Sequence, residues 1–302
     1  MAKNVFSNKQ KKDLIFCLIL LALPMVQFSI FYLGVNVNSL IMVFQRYEIN
    51  SETGLGAYVF NGFRNFETMV KQIYHEGIFL GALKNSLIAF VLVTLVGITL
   101  ALVFSLYIFK KMPAASIFRV LLFAPSILSS VVTVTMFRYF VEDVIPLVFH
   151  LEQGLLANAD TKFGTILFFN IWIGFGTQVL MYSGAMSGID PSITEAARLD
   201  GASPIREFFS IILPLIFPTL QTFLVAGIAG LFINQVNLLE FNGLWAESRY
   251  MTVGYYLFKN AQSASSGELP LLATYGVTLT LIAAPITLLS RWLLDKYGPS
   301  VD

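Results

Sequence analysis

Six apolar runs, each long enough to cross a bilayer as a helix, constrain this chain more than any other feature. About 20 apolar residues span the roughly 30 Å hydrocarbon layer. Inside that layer only helices and closed barrels satisfy their own backbone. The runs are Leu14 to Val35, Asn85 to Phe109, Ile117 to Phe140, Phe163 to Ser187, Leu215 to Asn237 and Leu269 to Leu289. Only 12% of the 302 residues are charged, against about 25% in a soluble domain. The expected fold is therefore an all-α membrane protein of six transmembrane helices. One domain, 14–291, lies between polar tails at 1–13 and 292–302. The first run follows Lys3, Lys9, Lys11 and Lys12, which is also a signal-peptide pattern, but it is too long and lacks a small-residue cleavage site. An uncleaved first span containing Pro24 is expected.

The more polar stretches alternate in character. Those from about Tyr47 to Lys84, Glu142 to Lys162 and Glu240 to Gly267 are one set; the connection at Lys110-Lys111 is short and basic, and Pro191 to Pro214 carries Arg198 and Arg206. Short basic loops stay on the cytoplasmic side. That puts both termini, Lys110, Lys111, Arg119, Arg198 and Arg206 in the cytoplasm, and the first set of three segments outside. The net charge of +1 gives no reason to expect nucleic-acid binding. Cys17, the single cysteine, cannot form an internal disulfide. His75 and His150 lie far apart in loops, so no metal site is assigned.

The stretch 190–214 interrupts the apolar second half. Ser192 followed by Glu195 has capping-box spacing, and a helix from Ser192 to Asp200 should end at Gly201. Ser203 and Pro204 should start a second helix, with Ile205, Phe208, Phe209 and Ile212 on one side. The pattern is helix, glycine elbow, helix, between spans four and five. It suits docking at a membrane face better than catalysis. No phosphate loop, nucleophile elbow, metal-ligand cluster or dinucleotide fingerprint occurs in the sequence. Polar residues at membrane depth mark a solute path or join helices. Asn170, Gln178 and Tyr182 on the fourth span are candidates, as are Gln221, Asn234, Gln235 and Asn237 on the fifth. Neutral amides with aromatic neighbours (Phe168, Phe169, Trp172, Phe175) suit a polyhydroxylated neutral solute better than an ion.

The elbow also carries a resemblance. Glu195-Ala196-Ala197, Asp200-Gly201-Ala202, Ile211 and Leu213-Pro214 resemble the EAA signature of binding-protein-dependent ABC transporter permeases. Ile171-Trp172, Gly174, Gly176, Gly188-Ile189 and Pro191 look like the run before that signature in maltose- and multiple-sugar-type permeases. Leu23-Pro24, Phe44-Gln45-Arg46-Tyr47 and Asn85-Ser86 are similar to the same subfamily. The Gly-Gly-Pro often found after its fifth span is absent; the chain reads Glu240-Phe241-Asn242-Gly243 there. The tail DKYGPSVD lacks the ending common in the second sugar permease, which favours the first of a heteromeric pair.

The resemblance implies a coupling role for Glu195, Ala196, Ala197, Asp200 and Gly201, lodged against a separate ATPase. No cofactor is implied in this chain, ATP being bound by partner subunits. It further implies a second permease subunit, two ATPase subunits, an extracytoplasmic solute-binding protein, and import of a sugar or oligosaccharide across a bacterial-type cytoplasmic membrane. The alternatives are an ABC permease for amino acids, peptides or another solute, an ATP-independent secondary transporter, and a scaffold without transport activity. A secondary transporter would be marked by buried charges and an inverted repeat, and neither is evident.

Overall fold

The computed structural model describes residues 8–52 and 54–299. Lys3, in the expected N-terminal tail, and the last residues of the C-terminal tail lie outside them. The chain divides into two units, Met1–Gln72 with Ser263–Thr278, and Ile73–Gln262 with Leu279–Asp302.

In the first unit a helix runs from Asn8 to Met42, widening to a π-turn at Ser29–Gly34. Its side chains from Lys12 to Asn38 are exposed throughout. A helix apolar on all sides and bare of protein contact is made for lipid. The expected all-α fold needs one correction beyond it: β1 (Gln45–Ile49) and β2 (Gly56–Phe60) form an antiparallel hairpin with Tyr47 opposite Tyr58. The alternating Gln45 to Ile49 stretch lies past the apolar run, where strand pairing competes with helix. Asn65 ties the next helix, Arg64–Glu76, to this hairpin by donating to the carbonyls of Val43 (2.7 Å) and Gln45 (2.8 Å).

The second unit holds the second to fifth spans and the sixth from Leu279 onward. Among the described residues four helices are long and apolar enough to cross a membrane unbroken: Lys12–Met42, Ile78–Phe109, Ala159–Ser187 and Leu269–Tyr297. Two further runs are broken. The expected third span bends by 106° between Ala115–Ile127 and Ser130–Phe149. Pro125 weakens the ladder there, and Leu128 and Ser129 are extended. The fifth bends by 71° between Pro204–Leu215 and Phe217–Ala229. Pro214 and Pro218 straddle that break, each removing a backbone donor. The fifth helix also stops at Ala229, short of the expected Asn237, because Gly230 begins a run of turns.

The second and fourth spans form the core of this unit. Ala101, Ile108, Phe175, Val179 and Tyr182 make one buried cluster. Phe104 stacks on Phe175 at 5.6 Å, and the Ser105 hydroxyl donates to the Val179 carbonyl at 3.0 Å. A Cβ on Gly176 would collide with the Leu122 carbonyl, so this glycine lets the third and fourth spans touch backbone to backbone.

Candidate functional site

The elbow follows the fourth span directly. Its first helix is Pro191–Leu199. The N-cap is Asp190, not the expected Ser192: the Asp190 carboxylate accepts from the Ser192 amide at 2.9 Å, and Pro191 takes the first helical position. Proline needs no donor partner there, which moves the helix start ahead of the serine. The Ser192 amide and hydroxyl hold the Asp190 carboxyl below the usual carboxylate range. At the other end Gly201 adopts the left-handed conformation, φ +74°, and the Ala202 amide reaches back to the Ala197 carbonyl at 3.0 Å. This is the glycine C-cap that the sequence suggests. Ser203 then caps the second helix through the Arg206 amide at 3.3 Å.

The elbow has an anchored side and an open side. Thr194 and Ala197, three residues apart, face inward, with Ala197 only 6% exposed. Glu195, Ala196, Asp200 and Gly201 lie on the open side. Leu199 is 89% exposed and Ile205 is 72% exposed. These two bare apolar side chains flank the glycine turn, and only their position beside the C-cap could have flagged them in the sequence. The second helix departs from expectation. Ile205 and Phe209 are exposed while Ile212 is buried, so the four expected residues do not share one buried face. A π-turn at Phe208–Ile212 is the reason. Its wider coil puts residues five apart on the same side, and Glu207 and Ile212 point inward together. Ile212 and Ile216 pack with Met186 against the ends of the second and fourth spans. Glu207, 2% exposed, receives the Lys110 ammonium at 2.5 Å. This ion pair fastens the elbow to the end of the second span.

The candidate path residues divide. Gln178 and Tyr182 stand one turn apart on the fourth span. The Gln178 Oε1 and the Tyr182 hydroxyl are buried without a hydrogen-bond partner among the described residues. The Tyr182 ring meets Phe223 of the fifth span edge-on at 5.3 Å. Buried polar atoms nearly always find partners, so this pair has bonding capacity to spare. Asn170 does not: its amide nitrogen donates to the carbonyls of Ile166 (2.8 Å) and Val236 (2.9 Å). Asn234, Gln235 and Asn237 sit past the end of the fifth helix, in the turns, not on a span. The Asn234 side chain accepts from the Val236 amide at 2.8 Å, and Asn237 is left-handed, φ +55°. Gln221 is an exposed partner of Asp295 on the sixth span.

A network that no local sequence rule announces holds the loop 230–255. Asn85 donates to the carbonyls of Arg249 (2.8 Å) and Met251 (2.9 Å), and the Ser86 hydroxyl accepts from the Val253 amide (2.9 Å). Thr252 donates to the Asn234 carbonyl at 2.8 Å. The Tyr255 hydroxyl donates to the Gly243 carbonyl (2.7 Å) and accepts from the Ala246 amide (3.0 Å). One amide and three hydroxyl side chains thus finish backbone that no helix or sheet completes.

Residues 94–302 match the family of inner membrane components of binding-protein-dependent transport systems. A stretch of 180 residues is 32% identical to a probable ABC transporter permease protein of Mycoplasma pneumoniae, covering 56% of this chain and 53% of that protein. Another of 192 residues is 26% identical to the maltose/maltodextrin transport system permease protein MalF of Escherichia coli K12, covering 60% of this chain and 37% of MalF. The chain therefore spans about half the length of the first relative and little more than a third of the second. In fold it is similar to a chain of a bacterial ABC transporter involved in import of the acidic polysaccharide alginate, with a TM-score of 0.77 at 19% identity over 95% of this chain and 97% of that one. The family match takes in most of the chain, elbow included, and the protein belongs to the inner membrane permease components of binding-protein-dependent ABC transporters.

Proposed function

We propose that this chain is the permease subunit of an ATP-driven importer for a sugar or oligosaccharide. Its elbow is the coupling contact with a separate ATPase. The carrying observation is the elbow's open side: Glu195, Ala196 and Leu199 are free next to a rigid glycine turn, while Ile212, Ile216 and the Lys110–Glu207 pair fasten the other side to the spans. A partner pushing on Leu199 and Glu195 moves the elbow as one piece, and the second and fourth spans with it. ATP binding by the partner then shifts the domain between two preformed states.

In this reading 1–13 and 292–302 are cytoplasmic tails, the elbow is cytoplasmic, and the segments 47–84, 142–162 and 240–267 face outward to a solute-binding protein. A second permease, different from this chain, and two ATPase subunits complete the assembly. ATP stays on those subunits. Gln178 and Tyr182 offer the solute an acceptor and a hydroxyl at membrane depth, with aromatic faces beside them, a combination suited to sugar hydroxyls. The names of MalF and of the alginate importer support the carbohydrate class.

The test is to purify the chain with its membrane partners, reconstitute it with the cognate binding protein, and follow ATP hydrolysis against oligosaccharides, amino acids and peptides. Stimulation by a sugar is expected. Stimulation by an amino acid or peptide sinks the carbohydrate class and keeps the permease. If no ATPase co-purifies and no ligand acts, the coupling role falls.

A further inference from the structure

A cavity of about 1110 Å³ opens where the second span ends, the third begins and the first elbow helix starts. The membrane-length second and fourth spans, Ile78–Phe109 and Ala159–Ser187, both end here, so the cavity lies at one membrane face. Its rim carries Lys111, Arg119 and Arg198. Among the described residues none of the three forms an ion pair or a side-chain hydrogen bond, and no carboxylate lines the cavity. Lys110 also reaches it but is taken by Glu207. Ile108, Phe109, Ile117 and Ile189 add apolar lining.

The turn at the rim is held in an uncommon shape. Lys111 (φ +52°) and Ala114 (φ +59°) are both left-handed without being glycine. Such residues persist where the surroundings over-determine them, and they collect at binding sites. Here the Met112 amide reaches the Tyr107 carbonyl at 3.3 Å, and the Tyr107 hydroxyl donates to the Pro113 carbonyl at 2.7 Å. The turn thereby holds Lys111 on the cavity side.

We propose that this cavity binds the phosphate headgroup of an anionic phospholipid. The two guanidinium groups match phosphate oxygens in a fork, and Lys111 adds a point charge. The apolar lining takes the start of an acyl chain, which a free phosphate would leave empty. On the proposed orientation this is the cytoplasmic leaflet, where anionic lipids lie and basic pockets between spans hold headgroups. A lipid seated here rests against Pro191 and Thr194 of the elbow, so occupancy would stiffen the elbow's attachment to the spans.

The test takes the full chain in detergent, adds phosphatidylglycerol or phosphatidylcholine, and counts retained lipid by native mass spectrometry. Phosphatidylglycerol should be retained at about tenfold lower concentration, and each of Lys111→Gln, Arg119→Gln and Arg198→Gln should weaken it about fivefold. The charge-preserving set Lys111→Arg, Arg119→Lys and Arg198→Lys should keep the preference, which separates charge from folding. Equal retention of both lipids by the unmodified chain overturns the proposal, as does a preference that survives all three glutamine substitutions. Full displacement by inorganic phosphate would make it a free-anion site. Loss of phosphatidylglycerol on adding the ATPase would make it a docking surface for acidic protein groups. None of these readouts requires transport, so failure here leaves the importer reading standing.

Discussion

Asn85 and Lys110 stand near opposite ends of one helix, about 35 Å apart, and hold their surroundings in contrasting ways. At the Asn85 end the loop 230–255 is stitched down by neutral side chains bonding to backbone: Asn85, Ser86, Thr252 and Tyr255. The load is shared over many bonds, most of them neutral, with Arg138 on the Phe241 carbonyl and the half-exposed Lys162–Glu247 pair as the charged additions. At the Lys110 end the elbow hangs on one ion pair, two caps and a small apolar cluster. Its outer side exposes leucine and isoleucine. A distributed, mainly neutral network makes a rigid seal. A single charged fastening with an open face makes a part that can be gripped and moved.

The sharpest way to break this contrast is Lys110→Met. It leaves the Glu207 carboxylate buried without its cation, and removing one partner of a buried pair costs about 3 kcal/mol or more. Thermal unfolding in detergent should show the largest loss of all the substitutions considered, and Lys110→Met with Glu207→Leu should recover much of it. A loss below that of any single change at the Asn85 end would mean that the ion pair does not carry the elbow.

Next comes Asn85→Leu. It orphans the carbonyls of Arg249 and Met251 while keeping the side chain's volume, and should cost about 2 kcal/mol. Ser86 and Tyr255 still hold the loop, so hydrogen exchange should rise across 249–253 without reaching Gly243. If the whole loop opened at once, the bonds would not be shared as the contrast requires.

Leu199→Asp sharpens the functional side. The side chain touches nothing that stabilises the fold, so unfolding should shift by no more than about 0.5 kcal/mol. Solute-stimulated ATP hydrolysis in the reconstituted assembly should nevertheless fall at least tenfold, as it should for Glu195→Lys. Normal hydrolysis in both would remove the elbow from the coupling contact.

Legibility in the sequence followed the same divide. The apolar runs, the elbow, the Gly201 turn and the Ser203 cap follow from local rules: span length, a glycine's freedom at positive φ, a hydroxyl's reach to the third amide. The breaks in the third and fifth runs were half-legible, since Pro125, Pro214 and Pro218 are visible but the angle depends on what packs against them. The inward turn of Glu207 depends on a π-turn that no simple periodicity announces. The partners of Asn85, Asn170 and Thr252 were not legible, because they are carbonyls 66 to 166 residues away or across a loop. An amide that finishes distant backbone reads, in sequence, like one that could face a solute. Of the candidate path residues, Gln178 and Tyr182 have buried polar atoms with bonding capacity to spare.

The smallest expected effect concerns the elbow's first cap. The carboxyl of Asp190 is held below its usual range by the Ser192 amide, so its ionised form is favoured in the folded chain. A depressed folded-state value gives stability that is present above the unfolded carboxylate range and lost as pH falls through the lower, folded value. Acidification through and below the ordinary carboxylate range should therefore fray Pro191–Leu199, while Asn85 and its neutral partners remain unaffected. Asp190→Asn keeps an acceptor for the Ser192 amide and should remove the pH dependence but not the helix, whereas Asp190→Ala should lose both. Hydrogen exchange at Ser192 and Ile193 reads the difference directly. Protection, taken relative to the intrinsic exchange rate, that is independent of pH in the unmodified chain, or equal in Asn and Ala variants, would mean that Pro191 and the Gly201 turn set the helix without the cap, and the elbow end would then be less dependent on charge than its ion pair suggests.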